Sequence, residues 1–357
     1  MLAAMIKMRK NKLPLFIRRI VHKACHIPLV FLVLLCIAIG LSFITGTGCR
    51  RNTAVDVKVK KIVVILSGST DDMSWNKANV EGIEACNREK NVKIEYLENV
   101  KEKDYERVFV EYAAKGYDLI IGAGSQFNDS IEAVAPRYKK TFFCVINGSI
   151  FDMENVLSLQ INEKEAAYIA SVIAGRETDT GVFAVIGGYP NHSMKNMLDV
   201  YEKNAVKIAK ERGFSEARSL RAYTNSWDNV SLGKKISEQM LEEDADILFV
   251  YANKVCLGAL EAIQDKKARM IGFVTDQNEL NRDKVIASVV FDFQKLYAWI
   301  LEEYAKSSPE KRRMYRIGMN QDFFHVTKTD RISYDTSLDL KRVLEDLKQG
   351  KIQLDEE

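Results

Sequence analysis

Three hundred and fifty-seven residues, 47% apolar and 28% charged, exceed one small domain and suit about two. Disorder, collagen and low complexity are excluded for the chain as a whole. The net charge of +3 is unevenly placed: the first 48 residues hold seven basic side chains (Lys7, Arg9, Lys10, Lys12, Arg18, Arg19, Lys23) and no acid, leaving 45 basic against 49 acidic in the remainder. The body therefore carries no basic field for nucleic acid, and no nucleic-acid partner is expected.

The leader has a clear order. A basic stretch ends at Lys23, an apolar run from Ile27 to Ile44 follows, and small residues lead to Cys49. That order describes an export signal. Eighteen residues of apolar run also approach the ~20 that span a bilayer, so an uncleaved anchor stays open. Gly46-Thr47-Gly48-Cys49 resembles the lipobox of bacterial lipoproteins, in which the cysteine is lipidated and becomes the new N-terminus; Gly46 stands where those proteins usually have Leu. The resemblance implies a lipid on Cys49 and a body held on the extracytoplasmic face of the cell membrane. An uncleaved anchor gives the same orientation, because the basic residues precede the span. Residues 1–48 are read as signal or anchor and 49–59 as tether.

From Lys60 short apolar runs alternate with amphipathic stretches. Ile62–Leu66 predicts a strand, Asn76–Lys90 a helix, Val92–Leu97 a strand and Tyr105–Lys115 a helix. Asp118–Gly122 and Thr141–Ile146 predict strands around a helix at Ser130–Tyr138. A second series follows. Strands are predicted at Val156–Ile161, Val182–Ile186, Arg218–Tyr223, Ile247–Tyr251, Met270–Phe273 and Val285–Val290. Helices lie between them at Glu163–Arg176, about Ser193–Arg212, Val230–Glu243 and Cys256–Asp265, with a last one at Phe293–Tyr304. Val, Ile and Leu without polar alternation suggest strands covered on both faces, and the alternation with helices suggests parallel βαβ units. The fold class is α/β, with two doubly wound parallel-sheet lobes. No linker rich in Pro or Ser divides them, so the chain is expected to cross between lobes near 156–161 and 285–290. The expected division is 60–158 with about 288–312, then 159–287 with about 313–330, then a tail helix in 331–357. Ligands of open parallel sheets sit beyond the carboxyl ends of strands, which points to the cleft between the lobes.

Five strand-end loops supply polar or aromatic groups. The first, Ser67 to Asn76, is long and polar and carries Asp72, Ser74, Trp75 and Asn76. Asp72 or Ser74 suits the cap of the helix that follows; Trp75 suits stacking on a flat ligand, with Asp72 and Asn76 on its polar edge. The second holds Gly122-Ala123-Gly124-Ser125 and Asp129, where glycines allow close approach at a helix N-terminus. It is no dinucleotide fingerprint, because Gly-x-Gly-x-x-Gly is not completed. The others bring Tyr189 and His192, Asn253 and Lys254, and Asp276 and Gln277. Enzyme signatures are missing: there is no Gly-x-Ser-x-Gly elbow, no Walker A loop and no His-Glu-x-x-His. Cys86, Cys144 and Cys256 have no metal or disulfide spacing and read as small buried hydrophobes. No catalytic residue, metal or cofactor is expected.

These residues resemble the basic membrane protein family of bacterial lipoproteins, which have the periplasmic-binding-protein type I fold and include purine nucleoside receptors. The resemblance covers roughly 60–327. Asp71-Asp72-Met73-Ser74-Trp75-Asn76 is similar to the family's Asp-Asp-x-Ser-Phe-Asn. Asp118 to Gly124 with Asp129, Glu163 to Ser171, Thr180-Gly181 through Gly187-Gly188, and Gly272 with Thr275-Asp276-Gln277 resemble later family segments in order. The departures are as specific. The Gly-Gly-Thr-Gly-like loop of the family's nucleoside binders is replaced by Asn253-Lys254-Val255-Cys256. Their ribose-binding Asp falls at Val274, their crossover lysine at Phe291, and the aromatic after Gly-x-Gly at Ser125. The resemblance implies a solute-binding lipoprotein of an ABC importer, with an ABC permease as partner and a small polar or aromatic ligand. The kept half of the pocket is Asp72, Trp75 and Asn76, while loss of a hydroxyl-binding partner removes discrimination for ribose. The alternative is a membrane-anchored regulator of the Med type with a degenerate pocket.

Overall fold

The computed structural model describes residues 61–306 and 314–354; the leader, the tether and Cys49 lie outside them. Two six-stranded sheets carry the chain. The first has the order β11-β5-β4-β3-β1-β2, built from β1 (Ile62–Ile65), β2 (Ile94–Leu97), β3 (Leu119–Gly122), β4 (Phe142–Ile146), β5 (Val156–Ile161) and β11 (Met314–Ile317), all parallel. The second has the order β12-β10-β9-β8-β6-β7, from β6 (Val182–Gly187), β7 (Arg218–Tyr223), β8 (Ile247–Tyr251), β9 (Arg269–Val274), β10 (Val285–Phe291) and β12 (Phe324–Lys328). Only β12 runs antiparallel to its neighbour, β10.

The continuous apolar runs become strands because helices cover both faces. In β1, Val63 and Ile65 point to one core and Ile62 and Val64 to the other, all essentially without exposure. On the Ile62 and Val64 side lie α1 (Trp75–Lys90) and α8 (Phe293–Ala305); on the Val63 and Ile65 side lie α2 (Tyr105–Ala114) and α3 (Asn128–Val134). The second sheet is covered by α4 (Glu163–Glu177), α5 (His192–Glu211) and α9 (Tyr334–Lys348) on one side, and by α6 (Val230–Glu242) and α7 (Val255–Ile263) on the other. Gly82 lets α1 press onto α8, since a Cβ there would meet Phe293. The same pair is locked by the buried Tyr297 hydroxyl, which donates to Asn79 Oδ1 at 2.5 Å.

Three crossings join the lobes, after β5 at Asn162, after β10 at Asp292, and between β11 and β12 at 318–323. Two expected boundaries are therefore corrected. β10 stays in the second sheet through Phe291, so the chain leaves that lobe a few residues after 288. The segment at 314–317, expected in the second lobe, pairs with β5 in the first. β11 is a half-exposed edge strand, Met-Tyr-Arg-Ile, whose side chains carry little apolar signal.

Helix α9 is fastened by one buried carboxylate. Glu177 accepts the Ser333 amide at 3.0 Å and the Ser333 and Thr336 hydroxyls through Oε1, and meets Arg269 at 3.4 Å through Oε2. Removing it leaves the first turn of α9 without its acceptor and takes one partner from the partly buried Arg269 guanidinium, which keeps the residue 177 carbonyl and Asp179. Glu177→Ala is expected to cost about 3 kcal/mol and to open 330–348 to protease; an unchanged thermal midpoint and digestion pattern would refute the assignment.

Candidate functional site

The carboxyl ends of the two sheets face one another, because the loops that leave them touch. The loop after β1 is shaped by Asp72, which is 2% exposed. Its Oδ1 accepts the Ser74 and Lys77 amides, each at 3.0 Å, and its Oδ2 accepts the Asn76 amide and side-chain nitrogen, each at 2.8 Å. Four donors on one carboxylate identify Asp72 as the cap of α1, the first of the two roles its position allowed. Ser74 is buried and makes no side-chain cap bond. Asn76 is 4% exposed and its Oδ1 has no partner within the protein.

Trp75 is half-buried. Its indole N–H donates to the Ala123 carbonyl at 2.9 Å, and its ring meets Phe293 edge-on at 5.3 Å. It is thus tied both to the loop after β3 and to the second crossing. That loop turns at Gly124, whose φ of +145° suits glycine. Ser125 beyond it is exposed, as is Asp129 in the first turn of α3.

On the second lobe Tyr189 is 41% exposed and leans on Trp227 at 5.5 Å, which in turn meets Tyr251 at 6.4 Å. Gly188 permits this, since a Cβ there would strike the Trp227 ring. Trp227 was not among the expected site residues, although a large aromatic in a polar strand-end loop is the signal that singled out Trp75. Asn253 is buried at the start of α7, its carbonyl accepting the Cys256 amide. Asp276 is exposed and accepts the Asn278 amide at 3.0 Å, the geometry of a turn. Phe291, expected to line the cleft, is instead core. It is 3% exposed and packs on Phe324 at 4.8 Å, Phe273 at 5.2 Å and Phe323 at 5.8 Å. Val274 is fully buried with φ +73°, a conformation that costs a β-branched residue of order 1–3 kcal/mol.

Direct bonds cross between the lobes. Lys254 Nζ lies 2.9 Å from Asp71 Oδ2, and Thr275 Oγ1 donates to the Met73 carbonyl at 2.8 Å. Deeper in, Glu163 Oε1 accepts from Asn147 Nδ2 at 3.1 Å and from the Tyr251 hydroxyl at 3.0 Å. Burial pushes the Glu163 carboxyl above the usual glutamate range, with the two hydrogen bonds opposing, and burial raises Glu165 as well. Asp228 is also raised, first by desolvation and then by the Asp72 charge.

The cysteines are structural. Cys86, Cys144 and Cys256 are free and buried, and burial lifts the Cys86 and Cys256 thiols to about 11 and about 12. Among the described residues no cluster has the makings of a metal site, and no helix is long and apolar enough to cross a membrane. Two surface cavities, of about 420 and 320 Å³, are lined one by Asp292, Trp299, Ile317 and Gln321 beside the crossings and the other by Glu177, Arg269 and Ser333.

The raised Glu163 carboxyl fixes a sign. The folded chain holds this proton more tightly than the unfolded chain, so its contribution to stability is complete below the ordinary glutamate value of about 4.3 and is lost as pH rises through the raised value. Glu163→Gln is expected to flatten the fall in thermal midpoint as pH rises above the ordinary glutamate range; a slope identical to that of the unsubstituted chain would contradict it.

Comparison with known proteins agrees with this architecture. Residues 59–356 match the Bmp family model, described as ABC transporter substrate-binding protein PnrA-like. The ABC transporter nucleoside-binding protein BmpA of Lactococcus lactis subsp. cremoris is 27% identical over 255 residues, covering 66% of this chain and 71% of the relative. The transcriptional activator protein med of Bacillus subtilis is 24% identical over 265 residues, covering 74% and 80%. A solute-binding protein of an ABC transporter system from Aeropyrum pernix has the same fold, with a TM-score of 0.71 at 18% identity over 83% of this chain and 94% of that one. The chain belongs to the Bmp family of PnrA-like ABC transporter substrate-binding proteins.

Proposed function

We propose that this chain is the extracytoplasmic receptor of an ABC importer, held at the membrane by its N-terminal segment through a lipid on Cys49 or through an uncleaved anchor. It hands a small, flat, polar solute to a permease and makes or breaks no bond. One observation carries this reading: Trp75 and Trp227 reach the facing strand ends from opposite lobes, each half-buried with one edge already held. Aromatic faces so placed suit a flat solute, because fixing them costs little further side-chain entropy. Asn76 Oδ1, buried without a partner in the protein, suits a donor on the solute's edge. Ordinary ribose recognition is not part of the proposal, since Val274 and Phe291 offer no polar atom.

A second reading has its own support. The cleft is bridged by the protein's own side chains, and the relative from Bacillus subtilis is named a transcriptional activator. That combination suits a membrane-anchored regulator which has kept the fold and given up the solute.

Thermal unfolding of the full chain in detergent, against nucleosides, bases, sugars and amino acids, separates the two. A solute at a hundred times its dissociation constant adds about 2.7 kcal/mol. Trp75→Ala and Trp227→Ala should each weaken binding by about 1–3 kcal/mol, roughly five- to hundredfold. Folded variants with unaltered affinity would overturn the stacking arrangement, and a panel without any shift would favour the regulator.

A further inference from the structure

The loop between β1 and α1 meets the second lobe through atoms of this chain alone. Lys254 reaches Asp71 from the start of α7. Thr275 and Gln277, 6% and 3% exposed, both direct donors at the Met73 carbonyl, at 2.8 and 3.5 Å. Met73 presents that carbonyl from a left-handed conformation, φ +65°, which a non-glycine residue holds only when its surroundings demand it. The surroundings are Asp72, whose carboxylate gathers the next three free amides and fixes the turn from within.

We propose that Lys254 with Asp71, and Thr275 with the Met73 carbonyl, form a latch that closes the cleft with no solute in it. The two halves differ in strength. The ion pair is exposed on the Asp71 side, at 70%, and contributes little by itself. The Thr275 bond is sheltered from water and carries the closure, while the ion pair sets register and is screened by salt. A cleft already closed must be unlatched before a solute can enter, so the population competent to bind is a fraction of the whole and apparent affinity falls by that fraction. The inference rests on the same cleft as the proposed function, but its test is made with no solute present, so a failed solute search leaves it standing.

The test is acrylamide quenching of tryptophan fluorescence in the full chain in detergent. Trp299, which meets Tyr315 of the edge strand β11 edge-on at 5.0 Å, is first replaced (Trp299→Phe) so that only Trp75 and Trp227 report. The expected result is a low quenching constant in that background. It should rise when Lys254→Met and Thr275→Val are combined, as the open-to-closed ratio shifts by about tenfold. If the lysine variant does not fold, Asp71→Asn with Thr275→Val removes the same two contacts, one of them from the first lobe. Far-UV circular dichroism checks that each variant is folded. Equal quenching in the background and the folded double variant would overturn the latch. So would high quenching in the background that falls only when a solute is added.

Discussion

Three hydrogen bonds at the crossings set where the lobes stand, and the cleft depends on them. The Asn162 amide donates to the Ile317 carbonyl and the Asp292 amide to the Phe323 carbonyl, both at 2.9 Å, while the Met319 amide donates to Glu165 at 2.7 Å. Each ties one crossing to another, so the three strands of chain between the sheets form one braced unit. Glu165 comes from the first turn of α4, two residues after Glu163. One helix start therefore supplies a carboxyl to the third crossing and another, Glu163, that accepts from both Asn147 and Tyr251. Carboxyls at a helix N-terminus are favoured by the backbone dipole, which helps α4 tolerate two of them where burial resists their charge.

The core repeats this continuity. One apolar cluster runs from β1 and α1 through Phe291, Phe293 and Phe323 into β8, β9 and α5. Rings carry it across the joint, from Trp75 through Phe293, Phe323, Phe291 and Phe273 to Tyr251. Packed interiors have discrete arrangements, so motion between the lobes falls to the loops at the strand ends and to the crossings, where packing gives way to hydrogen bonds.

Much of this was legible in the sequence, for a physical reason. Parallel strands buried on both faces are apolar without alternation, and their helices are amphipathic, so Ile62–Leu66 or Ile247–Tyr251 announces itself. Edge strand β11 does not. It is partly exposed and mixes Tyr and Arg with apolar residues, so its pairing depends on neighbours the local pattern does not contain. The site divides the same way. Trp75 stood out because its loop is polar throughout; Trp227 stands in an equally polar loop after β7 and the same signal marks it, although it is not among the expected site residues. Asp72 could be a cap or a ligand group until its four donors were counted. Asp276 was read as a cleft residue from its strand end, yet its carboxylate closes a local turn.

Val274 and Phe291, at which the resemblance places a family aspartate and lysine, are both apolar and buried. Here β9 and β10 are neighbours, with Val274 opposite Val290, so the two positions sit one step apart on adjacent strands. The rings of Phe273 and Phe291, 5.2 Å apart, show how the apolar solution packs. The φ of +73° at Val274 is a conformation that aspartate or asparagine tolerates and valine resists. The strain persists because Val274 is fully enclosed, and its burial, worth about 1.5–3 kcal/mol, offsets a conformational cost of about the same size.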